Sequence, residues 1–196
     1  SGTASSTGFS RRSGTGSSMV SRPRDDTLGT VVSRTPAAEP GGSGSRAPIA
    51  LIAALPWEVR PFLRRQSGVQ KQGLFYWFSL RGEPACLVIA GMGAENSYHA
   101  ARELLERGRA RGLVTLGFAG ALVDSLALGE IVIADRVLDQ QSRERFDCDG
   151  ALFPLAKGRR GDLLSTAGVI ASEAEKRRLA EEWGAVAVDM ESAGVA

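Results

Sequence analysis

The sequence predicts a three-layer α/β fold in which helices cover both faces of a mixed, largely parallel sheet. Two observations support this. Residues 49–55 and 86–90 are apolar runs of strand length without alternating polar residues, which is typical of strands buried on both faces. These runs alternate with segments whose apolar residues recur at helical spacing. Buried strands that alternate with amphipathic helices indicate a sheet packed between two helical layers.

The chain divides into a polar segment, residues 1–46, and an expected single domain, residues 47–196. Residues 1–46 are rich in Ser, Gly, Thr and Arg, and bury too little apolar area to offset the entropy of ordering, so we expect a disordered tail. Residues 1–24 hold four arginines and no acid, which fits an organelle transit peptide as well as a solvated tail. Residues 1–46 carry a net charge of +3 and the remainder −1, so basicity gives no argument for nucleic-acid binding.

Composition excludes several classes of protein. No apolar run approaches the ~18–20 residues that span a bilayer, so no transmembrane helix is expected. Cys86 and Cys148 form no CxxC pair, which argues against a disulfide-dense scaffold and against a cysteine zinc site. His99 is the single histidine, and it shares a helix face with charged residues, which indicates a solvated position.

The first half of the domain contains three expected strands and two expected helices. The strand at 49–55 leads into Pro56, a residue suited to the first helical turn, and Val59, Phe62 and Leu63 then recur at helical spacing. Strands are expected next at 73–80 and 86–90, and a helix at 95–109.

The second half is expected to continue with strands at 112–119 and 129–134. Ser172 and Glu175 form a capping box that starts a helix, and Gly184 is a suitable residue to end it. A last strand is expected at 185–188, with a helix beginning at Asp189.

Ligands of such sheets bind at the carboxyl ends of strands, which places the candidate site at residues 55–58, 91–93, 117–120 and 189–191. Gly91 and Gly93 lack the third glycine of a dinucleotide fingerprint, so we expect instead a tight turn whose amides face a small ligand.

Carboxylates follow two of these strands. Glu58 stands in the first turn of a helix, where it either interacts with the helix dipole or acts as a base that orients water. Asp189 is expected to cap the next helix, which would point Glu191 into the crevice. A carboxylate there can accept two hydrogen bonds at once, as the paired hydroxyls of a ribose require.

Four segments, in the same order and with fitting spacing, resemble the nucleoside phosphorylase superfamily, most closely the methylthioadenosine/S-adenosylhomocysteine nucleosidases. The resemblance covers residues 48–196. It rests on the first strand and glutamate turn (49–59), Gly-Phe-Ala-Gly at 117–120, Leu-Gly-Glu-Ile-Val at 128–132, and Val-Asp-Met-Glu-Ser-Ala at 188–193.

The resemblance implies roles for individual residues. Glu58 falls on the glutamate that polarises the attacking water, Glu191 on the glutamate that holds the ribose 2′ and 3′ hydroxyls, and Met190 packs on the sugar. The main chain of Ile170 meets the purine edge, and Val169 stands where many relatives stack an aromatic ring on the base.

The resemblance also implies that two turns lie beside the nucleophile, one formed by Gly91 and Gly93 and the other by Phe118, Ala119 and Gly120. Phe118 replaces the family's usual serine, which removes a hydroxyl that helps to bind phosphate or water. The implied reaction needs no metal and no cofactor.

We expect hydrolysis of the N-glycosidic bond of a 5′-modified adenosine, through an oxocarbenium-like transition state. Two alternatives stay open: a phosphorylase that uses phosphate, including the hopanoid-associated type, and a catalytically silent nucleoside-binding domain. The resemblance also implies methionine salvage, a cytoplasmic location and a homodimer or higher homo-oligomer. The family's general acid is an aspartate on the strand after residue 196, so we expect that strand, its helix and the proton donor to lie outside this sequence.

Overall fold

The structure, a computed structural model, describes residues 27–33, 47–150 and 157–196. Within these ranges it contains ten strands and four helices. The strands are β1 (Thr27–Ser33), β2 (Ile49–Ala53), β3 (Gln70–Gln72), β4 (Phe75–Leu80), β5 (Glu83–Ile89), β6 (Gly112–Ala121), β7 (Val132–Asp139), β8 (Arg145–Asp147), β9 (Arg159–Ser165) and β10 (Ala187–Asp189). The helices are α1 (Pro56–Leu63), α2 (Ala94–Glu106), α3 (Glu173–Trp183) and α4 (Ser192–Val195).

The described strands form one mixed sheet, in the order β1-β7-β9-β10-β6-β2-β5-β4-β3, with β8 paired to β7. β2 pairs in parallel with both β5 and β6, and β9 pairs in parallel with both β7 and β10. β10 runs antiparallel to β6. This topology brings the ends of β2, β6 and β10 together, which is where the candidate carboxylates were predicted.

Strand β2 shows why the sheet has two helical layers. Ala50 and Ile52 belong to a buried cluster that includes Leu104 of α2, whereas Leu51 and Ala53 pack in another cluster with Val59 of α1. Successive residues of a strand point to opposite faces, so an apolar run without alternation must be covered on both sides. The predicted three-layer fold is confirmed.

Most predicted elements coincide with observed ones. α3 begins after Ser172, whose hydroxyl accepts a hydrogen bond from Glu175 N–H at 3.5 Å, and ends at Gly184 with a φ of +68°. Strands β3, β8 and β9 were not predicted from the sequence. β9 begins with polar residues, and ion pairs to β7 hold it there: Arg160 to Asp135 and Asp162 to Arg136, both at 2.6 Å.

One strand lies within the segment whose composition predicts disorder. Residues 27–33 form β1, which pairs antiparallel with β6 from Leu113 to Ala119 and in parallel with β7. The segment contains two threonines and two valines, β-branched residues that favour extended backbone. The expectation of disorder therefore differs from the structure over these seven residues, and the rest of it, residues 1–26 and 34–46, lies outside the described residues.

None of the four helices among the described residues has both the length and the apolar character that crossing a bilayer requires.

Candidate active site

A cleft of about 310 Å³ opens at the ends of β2, β6 and β10. It contains predicted candidates from four parts of the chain, together with residues that the sequence did not single out. The predicted residues among its lining are Glu58, Phe118, Ala119, Gly120, Val169, Ile170, Met190 and Glu191. The structure thus brings together candidates that lie more than a hundred residues apart in sequence.

Glu58 is held in place by two backbone amides. Pro56 starts α1 directly after β2, and this puts Glu58 in the first helical turn. Its Oε2 accepts a hydrogen bond from Leu55 N–H at 2.7 Å, and its Oε1 accepts one from Phe118 N–H at 3.3 Å. The second bond connects the carboxylate to β6, so the position of Glu58 depends on two strand ends.

The approach of β6 to this carboxylate requires a glycine. A Cβ atom added at Gly117 would lie 3.0 Å from Glu58 Oε1, closer than nearly all real Cβ contacts. Gly117 therefore leaves space for the carboxylate beside the strand. The close approach of Glu58 thus explains, on steric grounds, why the first residue of the Gly-Phe-Ala-Gly segment is glycine.

Glu191 is also fixed by two amides, from different elements. Its Oε1 accepts a hydrogen bond from Gly93 N–H at 2.8 Å, and its Oε2 accepts one from Met190 N–H at 3.2 Å. The sequence predicted that the amides of the Gly91–Gly93 turn would face a small ligand. Instead, Gly93 N–H binds Glu191, and Gly91 N–H donates to Ala54 O at 3.1 Å. The turn positions a carboxylate because both glycines adopt a φ of +94°, a conformation that strains other residues.

The helix predicted to begin at Asp189 begins instead at Ser192, with Glu191 in the N-cap position, so Asp189 lies before α4 and binds its first residue. Asp189 Oδ2 accepts a hydrogen bond from Ser192 N–H at 3.1 Å and a second one from the Ser192 hydroxyl. Sequence reasoning did not predict that its other oxygen, Oδ1, is buried without a hydrogen-bond partner.

Burial controls the protonation of two of the carboxyl groups. Burial raises the pKa of Glu58; the amides of Leu55 and Phe118 oppose this, and the charge of Glu191 adds to it. Burial raises the pKa of Asp189 more strongly, to about 7; the hydrogen bond from Ser192 opposes this and the charge of Glu191 adds to it. Mutual repulsion of neighbouring carboxylates and desolvation both favour the protonated form.

The described residues that line the cleft include three carboxyl groups, those of Glu58, Asp189 and Glu191, and one cationic side chain, Lys176. A phosphate dianion would need cationic groups to compensate its charge. The electrostatics of the cleft thus favour a neutral ligand such as water over phosphate beside Glu58.

Aromatic and apolar side chains form the mouth of the cleft. Trp57 and Phe118 stack with ring centroids 5.0 Å apart and an interplanar angle of 24°. Val169, Met92 and Trp57 stay largely exposed, at 79%, 53% and 53%. Trp57 and Met92 lie within the ranges predicted for the site, 55–58 and 91–93, but neither was named as a candidate residue. Lys176 was not predicted to line the cleft.

Among residues 27–33, 47–150 and 157–196, no group of three or more His, Cys, Asp or Glu side chains has the arrangement of a metal site.

Comparison with known proteins places this geometry in context. A family model described as "Phosphorylase superfamily" matches residues 48–196. No curated protein matches the sequence significantly.

Solved structures share the fold at low sequence identity. A Helicobacter pylori methylthioadenosine/S-adenosylhomocysteine nucleosidase mutant with 5′-methylthioadenosine in its active site is 19% identical, with a TM-score of 0.68, over 77% of this chain and 78% of that one. The futalosine hydrolase of the same organism is 18% identical, with a TM-score of 0.67, over 76% of each chain. A Neisseria meningitidis nucleosidase in complex with methylthio-immucillin-A is 23% identical, with a TM-score of 0.67, over 77% and 78%.

Proposed function

The chain belongs to the phosphorylase superfamily, and from that membership we propose that it hydrolyses the N-glycosidic bond of a purine nucleoside, most specifically a 5′-modified adenosine. The superfamily comprises nucleoside phosphorylases and nucleosidases. One structural relative holds 5′-methylthioadenosine in its active site, and another is a futalosine hydrolase. We therefore propose nucleosides with a modified 5′ position as the first substrates to test.

The observation that carries the proposal is the fixed Glu58 carboxylate in an anionic cleft. Two amides, from Leu55 and Phe118, orient Glu58 before any substrate arrives. An oriented carboxylate with a raised pKa is suited to accept a proton from water. Water, being neutral, can approach it without the repulsion that phosphate would meet.

In this proposal, the two glutamates perform different tasks. Glu191 accepts hydrogen bonds from the ribose 2′ and 3′ hydroxyls, with Met190 against the sugar and Val169 and Ile170 beside the base. Glu58 accepts a proton from the water as its oxygen bonds to C1′. The C1′–N9 bond breaks, the purine leaves with the electron pair and takes up a proton from solvent, and Glu58 returns its own proton to solvent. Negative charge near the sugar stabilises the oxocarbenium character of the transition state.

The test is an assay of the full chain with 5′-methylthioadenosine, S-adenosylhomocysteine and futalosine, each with and without phosphate. The proposal predicts release of free base and free sugar at a rate that phosphate does not change. Phosphate-dependent formation of a sugar 1-phosphate would instead assign phosphorolysis. Retained binding of adenosine analogues without any turnover would assign a silent binding domain.

A further inference from the structure

A small cavity adjoins the cleft. Its volume is about 20 Å³, its lining is more apolar than polar, and it shares Glu58, Asp189 and Glu191 with the cleft. Ser97, Thr115 and Ser192 contribute hydroxyl groups to its lining. A cavity with polar partners needs roughly 10–15 Å³ to hold a water molecule, so this one accommodates about one beside these hydroxyls.

Ser97 needs a partner that the protein does not supply. Its side chain is completely buried on α2, and its hydroxyl has no hydrogen-bond partner. The other two hydroxyls of the cavity are connected, since Thr115 Oγ1 lies 3.3 Å from Ser192 Oγ. Buried polar groups without a protein partner are usually satisfied by ordered water.

Asp189 is the second cavity residue with an unsatisfied atom. Ser192 donates both its hydrogen bonds to Oδ2, whereas Oδ1 is buried without a partner. A buried ionised oxygen without a donor is costly, but a protonated one can itself donate.

The charged groups around Asp189 favour the protonated state. Glu191 on its own segment and Glu58 on α1 bring negative charge to the same cavity, whereas the cationic Lys176 on α3, which would favour the ionised form, lines the cleft but not the cavity. Burial raises the pKa of Asp189 to about 7 and the charge of Glu191 adds to this rise, whereas hydrogen bonds from Ser192 and Ser165 oppose it.

We propose that the cavity holds one water molecule that bonds to the Ser97 hydroxyl and accepts a hydrogen bond from a protonated Asp189. This water and proton complete the hydrogen bonding at the start of α4, the segment that follows Glu191. Asp189 is thus a positioning residue for that segment, and its proton keeps a third negative charge away from Glu191.

The proposal determines how stability depends on pH. The pKa of Asp189 is raised in the folded state from an ordinary 3.8 to about 7, so folding favours the protonated form. The stability that comes from this proton is complete at low pH and is lost as pH rises through about 7. Asparagine has the same shape as the protonated acid and can donate through Nδ2, but it does not titrate.

The test compares thermal unfolding of the full-length wild type with that of Asp189→Asn, Asp189→Ala and Ser97→Ala between about pH 5 and pH 8. Near the lower pH we expect the asparagine variant to unfold within about 2 °C of wild type and the alanine variant to unfold lower. Near the higher pH the wild type should fall below the asparagine variant by at least ~4 °C. Ser97→Ala should keep the wild-type dependence on pH, because it removes a partner of the water but not the titrating proton.

Two results would contradict a protonated Asp189. One is equal destabilisation by Asp189→Asn and Asp189→Ala near pH 5, and the other is an unfolding temperature that depends on pH in the same way in the wild type and Asp189→Asn. A high-resolution crystal structure tests the water: density within hydrogen-bond distance of Ser97 Oγ and Asp189 Oδ1 supports it, and an empty cavity contradicts it. Neither measurement uses a substrate, so a failure here would be distinct from a failure of the proposed reaction.

Discussion

Glu58 and Glu191, which follow two different strands, are held by the same kind of hydrogen bonds, but we propose different roles for them. After β2, Glu58 binds an adjacent amide, of Leu55, and a distant one, of Phe118. After β10, Glu191 binds the adjacent amide of Met190 and the distant one of Gly93. In each case the amide that is near in sequence orients the carboxylate, and the amide that is distant in sequence connects the carboxylate to a second strand or the turn after it. The site is therefore specified by contacts between strand ends, and a change in one loop affects the carboxylate of another.

The difference lies in what each carboxylate faces. Burial raises the pKa of Glu58, which suits proton transfer. Glu58 lines the cleft together with the stacked rings of Trp57 and Phe118. Glu191 precedes a four-residue helix and follows Asp189, whose Oδ1 atom is buried. The proposed division of labour follows: Glu58 acts on the nucleophile and Glu191 on the sugar.

Glu58→Gln is expected to give the largest loss. The amide keeps the shape of the side chain but accepts a proton poorly, so kcat should fall by roughly 10²–10⁴-fold, the usual contribution of a general base. Steady-state kinetics with the best nucleoside substrate measure this. Glu95→Gln is the matched control, since Glu95 also stands in the first turn of a helix after a strand, but exposed on α2. An equal loss of kcat in both variants would contradict the proposed role of Glu58 as the general base.

Glu191→Gln should have an intermediate effect. Hydrogen bonds to a charged group contribute about 1.5–3 kcal/mol, which corresponds to a loss of roughly 10- to 150-fold in kcat/KM. A 2′-deoxy substrate lacks one of the two proposed partners and should therefore be less sensitive to the change. If the ribo and deoxy substrates lose activity equally, Glu191 does not bind the 2′ hydroxyl.

Gly117→Ala should disturb Glu58 without altering any charge. The new Cβ would stand 3.0 Å from Glu58 Oε1 and displace it by a few tenths of an ångström. Because misplacement by about 1 Å costs about 10²-fold, we expect kcat to fall about tenfold. Gly150→Ala is the control, since its Cβ would meet only Arg160 Nη2, at an ordinary 3.6 Å. Unchanged kcat in Gly117→Ala would show that Glu58 tolerates movement.

The smallest effect is a shift in the pH profile. Glu58 must be ionised to accept a proton, and burial raises its pKa, so activity should fall on acidification before an ordinary glutamate would protonate. The acid limb of kcat/KM against pH should therefore have its inflection above the ordinary value of 4.5. An inflection at or below that value would show that the carboxylate is better solvated than the structure indicates.

The sequence was sufficient for the parts of the molecule where hydrophobic pattern and capping agree. The apolar run of β2 predicted burial on both faces, and Ser172 and Gly184 marked both ends of α3. β9 was missed because its polar first residues are held by ion pairs to a strand that is distant in sequence. In the site, the carboxylates were predictable from their places after strands. Their amide partners were not, because Phe118 and Gly93 reach them only through tertiary packing.

The division of labour between the two glutamates is tested most directly by measuring adenosine-analogue binding to Glu58→Gln and Glu191→Gln side by side with their kcat values. Calorimetry with a non-hydrolysable nucleoside gives the dissociation constants. The account predicts that Glu58→Gln binds within about threefold of wild type while its kcat collapses, and that Glu191→Gln binds at least about tenfold more weakly. Weakened binding in Glu58→Gln together with unchanged binding in Glu191→Gln would contradict it.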